Sequence, residues 1–265
     1  MKSILSLLIL SVALSFPLSQ IQAHQESHKE QPGVGIEEKL GQTIPLDLIL
    51  KDEKGNPVRI GQLIQRPTIL APVYYHCPDV CSLLLHNLAR ALNQLSSEPG
   101  KEYRVVAFSF DEKETSGLAL EKKAFYLKMI EKPFPEEAWK FLTDGRENIH
   151  QLTEAVGFRF KREGKDFLHP VSLIILSREG KIVRYLYGPD PLPLDLKMAL
   201  LEASEGRVGP TINKVLRFCF SYDPKGRKYV FNILKVTGSV TLLFALSFAV
   251  FLFFKGKRRQ PKAGE

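Results

Sequence analysis

Cysteine is scarce in this sequence: three residues in 265, at positions 77, 81 and 219, so any pairing within the chain leaves one thiol over. No stripe of Lys and Arg interleaved with aromatics runs along it, which excludes the usual basic nucleic-acid-binding surface. There is no internal repeat and no low-complexity tract. Long uncharged runs occur only near the two ends, Ile4–Leu18 and Val236–Phe254. With 44% hydrophobic and 25% charged residues, the chain is neither disordered nor a polytopic membrane protein. What is left has room for one substantial domain plus appendages.

The net charge of +8 is a poor guide to a partner, because much of it is local. Lys255, Lys257, Arg258, Arg259 and Lys262 crowd the last eleven residues against Glu265 alone. Both ends also carry targeting patterns. Met1-Lys2, the apolar stretch with Pro17 near its end, and Ser19–Ala23 with a small residue at the cleavage position read as a signal peptide over 1–23. An uncleaved N-terminal anchor is the competing reading. Residues 24–36 are polar, contain Pro32 and Gly33, and read as a flexible leader to a domain spanning 37–205. Val236–Phe254 offers nineteen residues without a charge, which at ~1.5 Å per residue is enough to cross a ~30 Å hydrocarbon core. The basic cluster that follows at once marks the cytoplasmic side. The expected layout is a juxtamembrane segment over 206–232, a transmembrane helix over 233–254 and a basic cytoplasmic tail over 255–265. The protein is then a single-pass cell-membrane protein with its main domain on the periplasmic or extracytoplasmic side.

Between the ends, strand and helix patterns alternate. Ile44–Leu50 and Pro57–Ile60 read as strands joined by Lys54-Gly55-Asn56. Pro67–Tyr75 is apolar and β-rich, a central strand despite Pro72, and ends abruptly at His76-Cys77-Pro78. Leu84, Leu88, Ala91, Leu92 and Leu95 then recur at helical spacing over 80–95. Tyr103–Phe110 and Trp139–Leu142 read as strands, Leu118–Ile130 and Glu147–Val156 as helices. Val171–Leu176 and Ile182–Tyr187 form a hairpin through Arg178-Glu179-Gly180, and Pro193–Ser204 closes the domain as a helix. This alternation predicts an α/β fold, a three-layer sandwich around a mixed sheet.

Cys77-Pro78-Asp79-Val80-Cys81 lies where the central strand gives way to a helix. Pro suits the first turn of a helix, where its missing N–H costs nothing. Cysteines four apart share one face, so their sulfurs can converge. The unpaired N–H groups and partial positive charge of a helix start favour thiolate, the form that exchanges disulfides and binds soft metals. A structural disulfide is the plain alternative in an exported protein, although so short a clip constrains the chain little. The gap is wider than the two residues of ordinary thioredoxins, and both sulfurs could ligate one ion. His169, in Asp166-Phe-Leu-His169-Pro170 just before the Val171 strand, lies at the loop that faces the active helix in thioredoxin-like folds. Two thiolates and an imidazole make a soft set suited to copper(I) and able to hold copper(II). With a water added, the same set suits zinc.

Cys77–Cys81 after an apolar strand, Phe108-Ser-Phe-Asp111 at the end of the next, and His169 eight residues before Ser177-Arg-Glu-Gly180 together resemble the Sco/SenC family of thioredoxin-like copper chaperones. Arg184–Gly188, Leu200–Gly206 and Cys219–Pro224 are similar to a bacterial branch with a C-terminal span. The resemblance implies that Cys77, Cys81 and His169 are copper ligands and that Asp79 and Asp111 are carboxylates backing them. It also implies delivery of copper to the copper-binding subunit of cytochrome c oxidase during assembly of its dinuclear copper centre. Three positions depart from the pattern: Ser82 replaces a usual proline, Leu168 replaces an aspartate before the histidine, and Pro170 follows it. The missing aspartate removes one familiar way of orienting the imidazole.

The resemblance favours a metallochaperone over an enzyme. The alternative on the same thiols is a membrane-tethered thiol–disulfide reductase, served by an unidentified thiol reductant, that keeps the oxidase copper-site cysteines reduced. A peroxidase is excluded, because Tyr74 and Leu70 stand where peroxiredoxin motifs carry Thr or Ser and Pro. Cys219 reads either as a packed small hydrophobe or as a resolving thiol or transient ligand. His76 and His86 flank the motif, His24 and His28 lie in the leader, and His150 reads as a surface residue.

Overall fold

The computed structural model describes residues 33–208, the backbone of two strands between 220 and 231, and helical positions 237, 238, 241, 244–248 and 251. The chain begins with β1 (Gly35–Ile36), inside the stretch read as leader. It continues with β2 (Ile49–Lys51), β3 (Pro57–Arg59) and the short α1 (Ile60–Leu63). The Ile44–Leu50 strand is shorter than expected because a turn interrupts it, the Leu48 N–H reaching the Pro45 carbonyl at 3.4 Å. Next come β4 (Thr68–Val73), α2 (Val80–Gln94), β5 (Arg104–Ser109), α3 (Ser116–Leu127), β6 (Trp139–Leu142) and α4 (Arg146–Ala155). Three short strands follow that the sequence reading did not assign: β7 (Phe158–Arg159), β8 (Lys161–Glu163) and β9 (Asp166–Leu168). The domain ends with β10 (Ser172–Leu176), β11 (Ile182–Tyr187) and α5 (Pro193–Ser204).

The main sheet has the order β11-β10-β4-β5-β6, with β4, β5 and β6 parallel and β10 antiparallel to both β4 and β11. It is the mixed sheet expected. All six residues of β4 are buried, as suits a central strand. Pro72 is tolerated there for a positional reason. The Val73 carbonyl accepts from Phe110 N–H on the β5 side, so by alternation Pro72 faces β10, whose ladder with β4 has already ended at Leu70. No β10 carbonyl loses a donor.

The crossovers β4–α2–β5 and β5–α3–β6 step in one direction, so the right-handed rule places both helices on one face of the sheet. There α2 meets α3 and α5. Cys81, Leu84, Leu85, Leu88, Ala89, Ala91 and Leu92 form the buried face of α2, each leucine worth ~2 kcal/mol relative to exposure. β1 is fastened to β7, with the Glu37 N–H on the Gly157 carbonyl at 2.9 Å. Gly157 has φ +64, and a Cβ there would run into the Glu37 carbonyl oxygen. Only glycine fits this approach.

Separately, β12 (Phe220–Asp223) and β13 (Lys228–Phe231) pair as an antiparallel hairpin within the segment read as juxtamembrane. The described positions between 237 and 251 are helical and exposed. Among the described residues no helix is long and apolar enough to cross a membrane, so the transmembrane helix expected over 233–254 is not found there. The rest of that span, the signal peptide, His24, His28, Cys219 and the basic tail lie outside the described residues.

Candidate metal and thiol centre

β4 ends at Val73, and the chain turns through Tyr74–Asp79 into α2. Cys77 sits on this turn, its N–H on the Tyr74 carbonyl at 3.2 Å. Asp79 occupies the N-cap position, so Pro78 lies just outside the helix rather than in its first turn, and the cap has no side-chain hydrogen bond. Sulfur takes that place: the Cys81 N–H points at Cys77 Sγ across 3.4 Å. Ser82 Oγ donates to the Cys77 carbonyl at 2.6 Å, which gives the residue standing in place of a proline a role in the turn. Both thiols are buried, Cys77 at 3% and Cys81 at 2% exposure.

The two sulfurs differ in charge. The Cys81 thiol donating to Cys77 holds the Cys77 pKa down to about 3 against the opposing cost of burial, helped by His169 and by the Cys81 and Asp79 N–H groups. Burial, and then the Cys77 thiolate beside it, push Cys81 well above the ordinary thiol value. Tyr74 is raised as well, first by burial and then by its hydrogen bond to Cys77.

His169 follows β9. The antiparallel β4–β10 register pairs Leu70 with Ile174; continued five residues, it brings position 169 opposite 75, close to the cysteine turn. His169 Nδ1 lies 2.9 Å from the Pro170 carbonyl, which can only accept, so Nδ1 is the donor there and Nε2 is the nitrogen turned toward the sulfurs. This bond orients the ring where the aspartate is missing. Nε2 lies 3.7 Å from Cys81 Sγ. Phe110, Tyr74 and Phe158 wall the imidazole, with centroids at 5.2, 5.7 and 6.5 Å.

The donor atoms of Cys77, Cys81 and His169 all lie within 4.8 Å of one another. Ligands at ~2.0–2.3 Å from one ion stand up to ~4 Å apart, so the three converge on a single ion with little movement. Among the described residues they are the only such group. Asp79 is exposed and contributes its N–H rather than its carboxylate. Asp111 accepts from the Lys113 N–H at 3.0 Å and from Arg162 at 2.5 Å, so it backs the hairpin ahead of His169 and not the sulfurs. His86 is an exposed residue of α2, and His150 is exposed beside Glu154 at 3.8 Å.

The residue that sequence reasoning missed is Glu114, whose side chain is 1% exposed. Its Oε1 accepts from the His76 N–H at 2.7 Å and meets the exposed His76 ring at 3.0 Å. Its Oε2 accepts from the Tyr75 N–H at 2.7 Å and from Ser109 Oγ at 2.6 Å. In sequence it is one more acidic residue just ahead of a helix, where exposed carboxylates are common.

The SCO1/SenC family profile matches residues 38–193, more than half of the sequence. This chain belongs to the SCO1/SenC family. No curated protein sequence matches it. Among solved structures it is similar to a candidate electron transfer protein of Aquifex aeolicus VF5, at 33% identity and TM-score 0.57, over 63% of this chain and 95% of that one. A candidate electron transport protein of the same organism matches at 30% identity and TM-score 0.55, over 63% and 99% of the two chains. ScoI of Arabidopsis thaliana, crystallised with copper bound, matches at 22% identity and TM-score 0.50, over 63% and 99%; at that identity the likeness concerns the fold. The mixed α/β domain of this SCO1/SenC protein is thioredoxin-like, with the thiol pair spanning the turn after the central strand and the first turn of α2.

Proposed function

We propose that this SCO1/SenC protein is a copper metallochaperone. It binds copper through Cys77, Cys81 and His169 and delivers it to the copper-binding subunit of cytochrome c oxidase as the dinuclear copper centre is assembled. The observation that carries this reading is the convergence of two buried sulfurs and one imidazole Nε2 within 4.8 Å. Such a soft, low-coordinate donor set prefers copper(I) and tolerates copper(II), and the Arabidopsis relative holds copper. Cys77 is already a thiolate, Cys81 gives up its proton as the ion arrives, and His169 meets the ion through Nε2. The acceptor's own ligands then replace these one by one.

The test is metal loading of the reduced domain freed of its two apolar ends. One copper per chain is expected, with tight binding lost in Cys77→Ser and in Cys81→Ser. The copper(II) spectrum changes in His169→Ala. Zinc retained in preference to copper under competition would overturn the reading.

A second reading, thiol–disulfide reductase, is favoured by one observation: the thiols are unequal, a ready thiolate at Cys77 beside a protonated Cys81. The Cys77 thiolate attacks a target disulfide and expels one target thiolate. Cys81, giving its proton to that leaving sulfur, then attacks Cys77 Sγ and releases the second target sulfur. The target ends reduced and Cys77–Cys81 oxidised, so a dithiol donor must restore the pair. Both readings place the domain outside the cytoplasm, tethered by residues 233–254. The support for this is the uncharged run before the basic tail and the signal-like start.

A further inference from the structure

Both loops that carry the proposed ligands lean on one short turn, Asp111-Glu112-Lys113-Glu114, between β5 and α3. On one side Glu114 reaches the loop ahead of Cys77: each of its oxygens takes one backbone N–H at 2.7 Å, from Tyr75 and from His76. An ionised carboxylate only accepts, and this one is filled from four directions. Ser109 Oγ and the His76 ring complete the set at 2.6 and 3.0 Å. On the other side, Asp111 and Glu112 hold Arg162 of β8 at 2.5 and 3.2 Å. The Arg162 guanidinium also lies over the Phe167 ring, 4.3 Å from its centroid. Phe167 is a residue of β9, two positions before His169, and packs on Tyr74 at 5.1 Å. The Arg162 contacts thus tie the β8–β9 hairpin, and with it His169, to the same turn that holds the cysteine loop.

We propose that the Asp111–Glu114 turn is a positioning clamp for the site: Glu114 sets the Cys77 side and the Asp111–Arg162 contact sets the His169 side. The bonds these residues make are to the loops that carry the ligands, not to the sulfurs or the imidazole. The copper arm of this inference rests on the metal reading above; the thiol arm does not.

The two halves of the clamp predict different signatures. Glu114→Gln keeps the length of the side chain but turns an NH₂ toward one backbone N–H. Glu114→Asp keeps the charge but is too short to reach both. Either variant should shift the Cys77–Cys81 dithiol–disulfide equilibrium tenfold or more, about 30 mV in potential. A shift in Glu114→Gln alone would make Glu114 a charge effect and overturn the clamp. Arg162→Gln, at a side chain 29% exposed, should weaken copper binding about tenfold, ~1.4 kcal/mol, and alter the copper(II) spectrum while leaving the dithiol equilibrium within about twofold of the parent. Near-UV circular dichroism confirms folding in each case. Folded Glu114 variants with the parental potential overturn the inference, as does an Arg162 variant that moves the potential as far as they do. If the Glu114 variants fail to fold, the Arg162 arm still decides. If the parent binds no copper the metallochaperone reading falls, while the dithiol measurement, which needs no metal, still tests the clamp.

Discussion

The backbone N–H of Cys81 points at the sulfur of Cys77 across 3.4 Å, so the first turn of α2 is capped by one of the thiols it activates. The same geometry makes the thiols unequal. Cys77 collects the Cys81 S–H and N–H, the Asp79 N–H and the His169 ring, whereas Cys81 is enclosed beside a negative sulfur. A cap of this kind is strongest while Cys77 is a thiolate, because a neutral sulfur accepts only weakly.

The first prediction concerns that charge. Folding lowers the Cys77 pKa from 9.0 to about 3. Its contribution to stability is therefore full above the ordinary thiol value and drains as pH falls from there toward about 3. Cys81 is shifted the other way, so its contribution is present below the ordinary value and lost as pH rises through its higher folded value. In the reduced, metal-free domain, thiolate ultraviolet absorbance should correspond to one thiolate per chain from about pH 8 down to about pH 5. Loss of half that signal near neutrality would contradict the assignment. Cys81→Ala should raise the midpoint, because the principal donor to Cys77 is gone.

A second prediction tests what holds the β6 side of the sheet. The Glu53 carboxylate is fully buried and bonded to Lys123 Nζ at 2.5 Å, Lys140 Nζ at 3.4 Å and the Phe141 N–H at 3.2 Å. Removing one partner of such a group leaves charge without compensation in the interior. Lys123→Ala should cost about 3–5 kcal/mol in urea unfolding, whereas Lys101→Ala, which breaks the solvent-exposed Lys101–Glu98 pair, should leave the urea midpoint close to the parent's. Equal effects of the two substitutions would mean that Lys140 alone satisfies Glu53.

Much of the domain was legible in the sequence because its signals are local. The period of Leu84, Leu88, Ala91 and Leu92 gives α2, and the apolar run over 68–73 gives β4. His169 was reachable because the hairpin Ser172–Tyr187 fixes where the preceding loop must fall. The β7–β9 strands were not, although Gly164, with φ +64 between Glu163 and Lys165, marks their turn. Each is only two or three residues long, too short for a period to show. Glu114 was illegible for another reason. Nothing in the order of residues distinguishes a carboxylate facing water from one facing the N–H groups of a loop thirty-nine residues earlier. Asp111 was expected against the ligands and instead holds Arg162, a partner that only the unassigned hairpin brings near.

Topology is tested by reporter fusions. From the uncharged run Val236–Phe254 and the basic residues behind it, a fusion after Glu265 should be cytoplasmic and one after Ser204 extracytoplasmic. Finding both on one side would remove the span. Mass spectrometry of the mature N-terminus decides whether residues 1–23 are cleaved.

His169→Ala separates copper carriage from disulfide reduction where cysteine variants cannot. An ion in transit needs its full ligand set until the acceptor's ligands replace it, so carriage requires both thiols and the imidazole. Exchange requires the two sulfurs alone, and His169 enters it only as one of several groups that lower the Cys77 pKa, behind the Cys81 thiol. The variant should lose most oxidase-assembly activity in copper-limited cells. It should still reduce a model disulfide within about tenfold of the parent rate, a barrier change of ~1.4 kcal/mol. Since the Pro170 carbonyl and the rings of Phe110, Tyr74 and Phe158 hold the imidazole, and the turn is held by its own hydrogen bonds from the Cys77 N–H to the Tyr74 carbonyl and from Ser82 Oγ to the Cys77 carbonyl, its removal should leave the turn and α2 in place. Normal assembly by this variant when copper is scarce would transfer the proposed function from carriage to reduction. Excess copper in the medium is the cross-check, because it bypasses a missing carrier and does not replace a missing reductant.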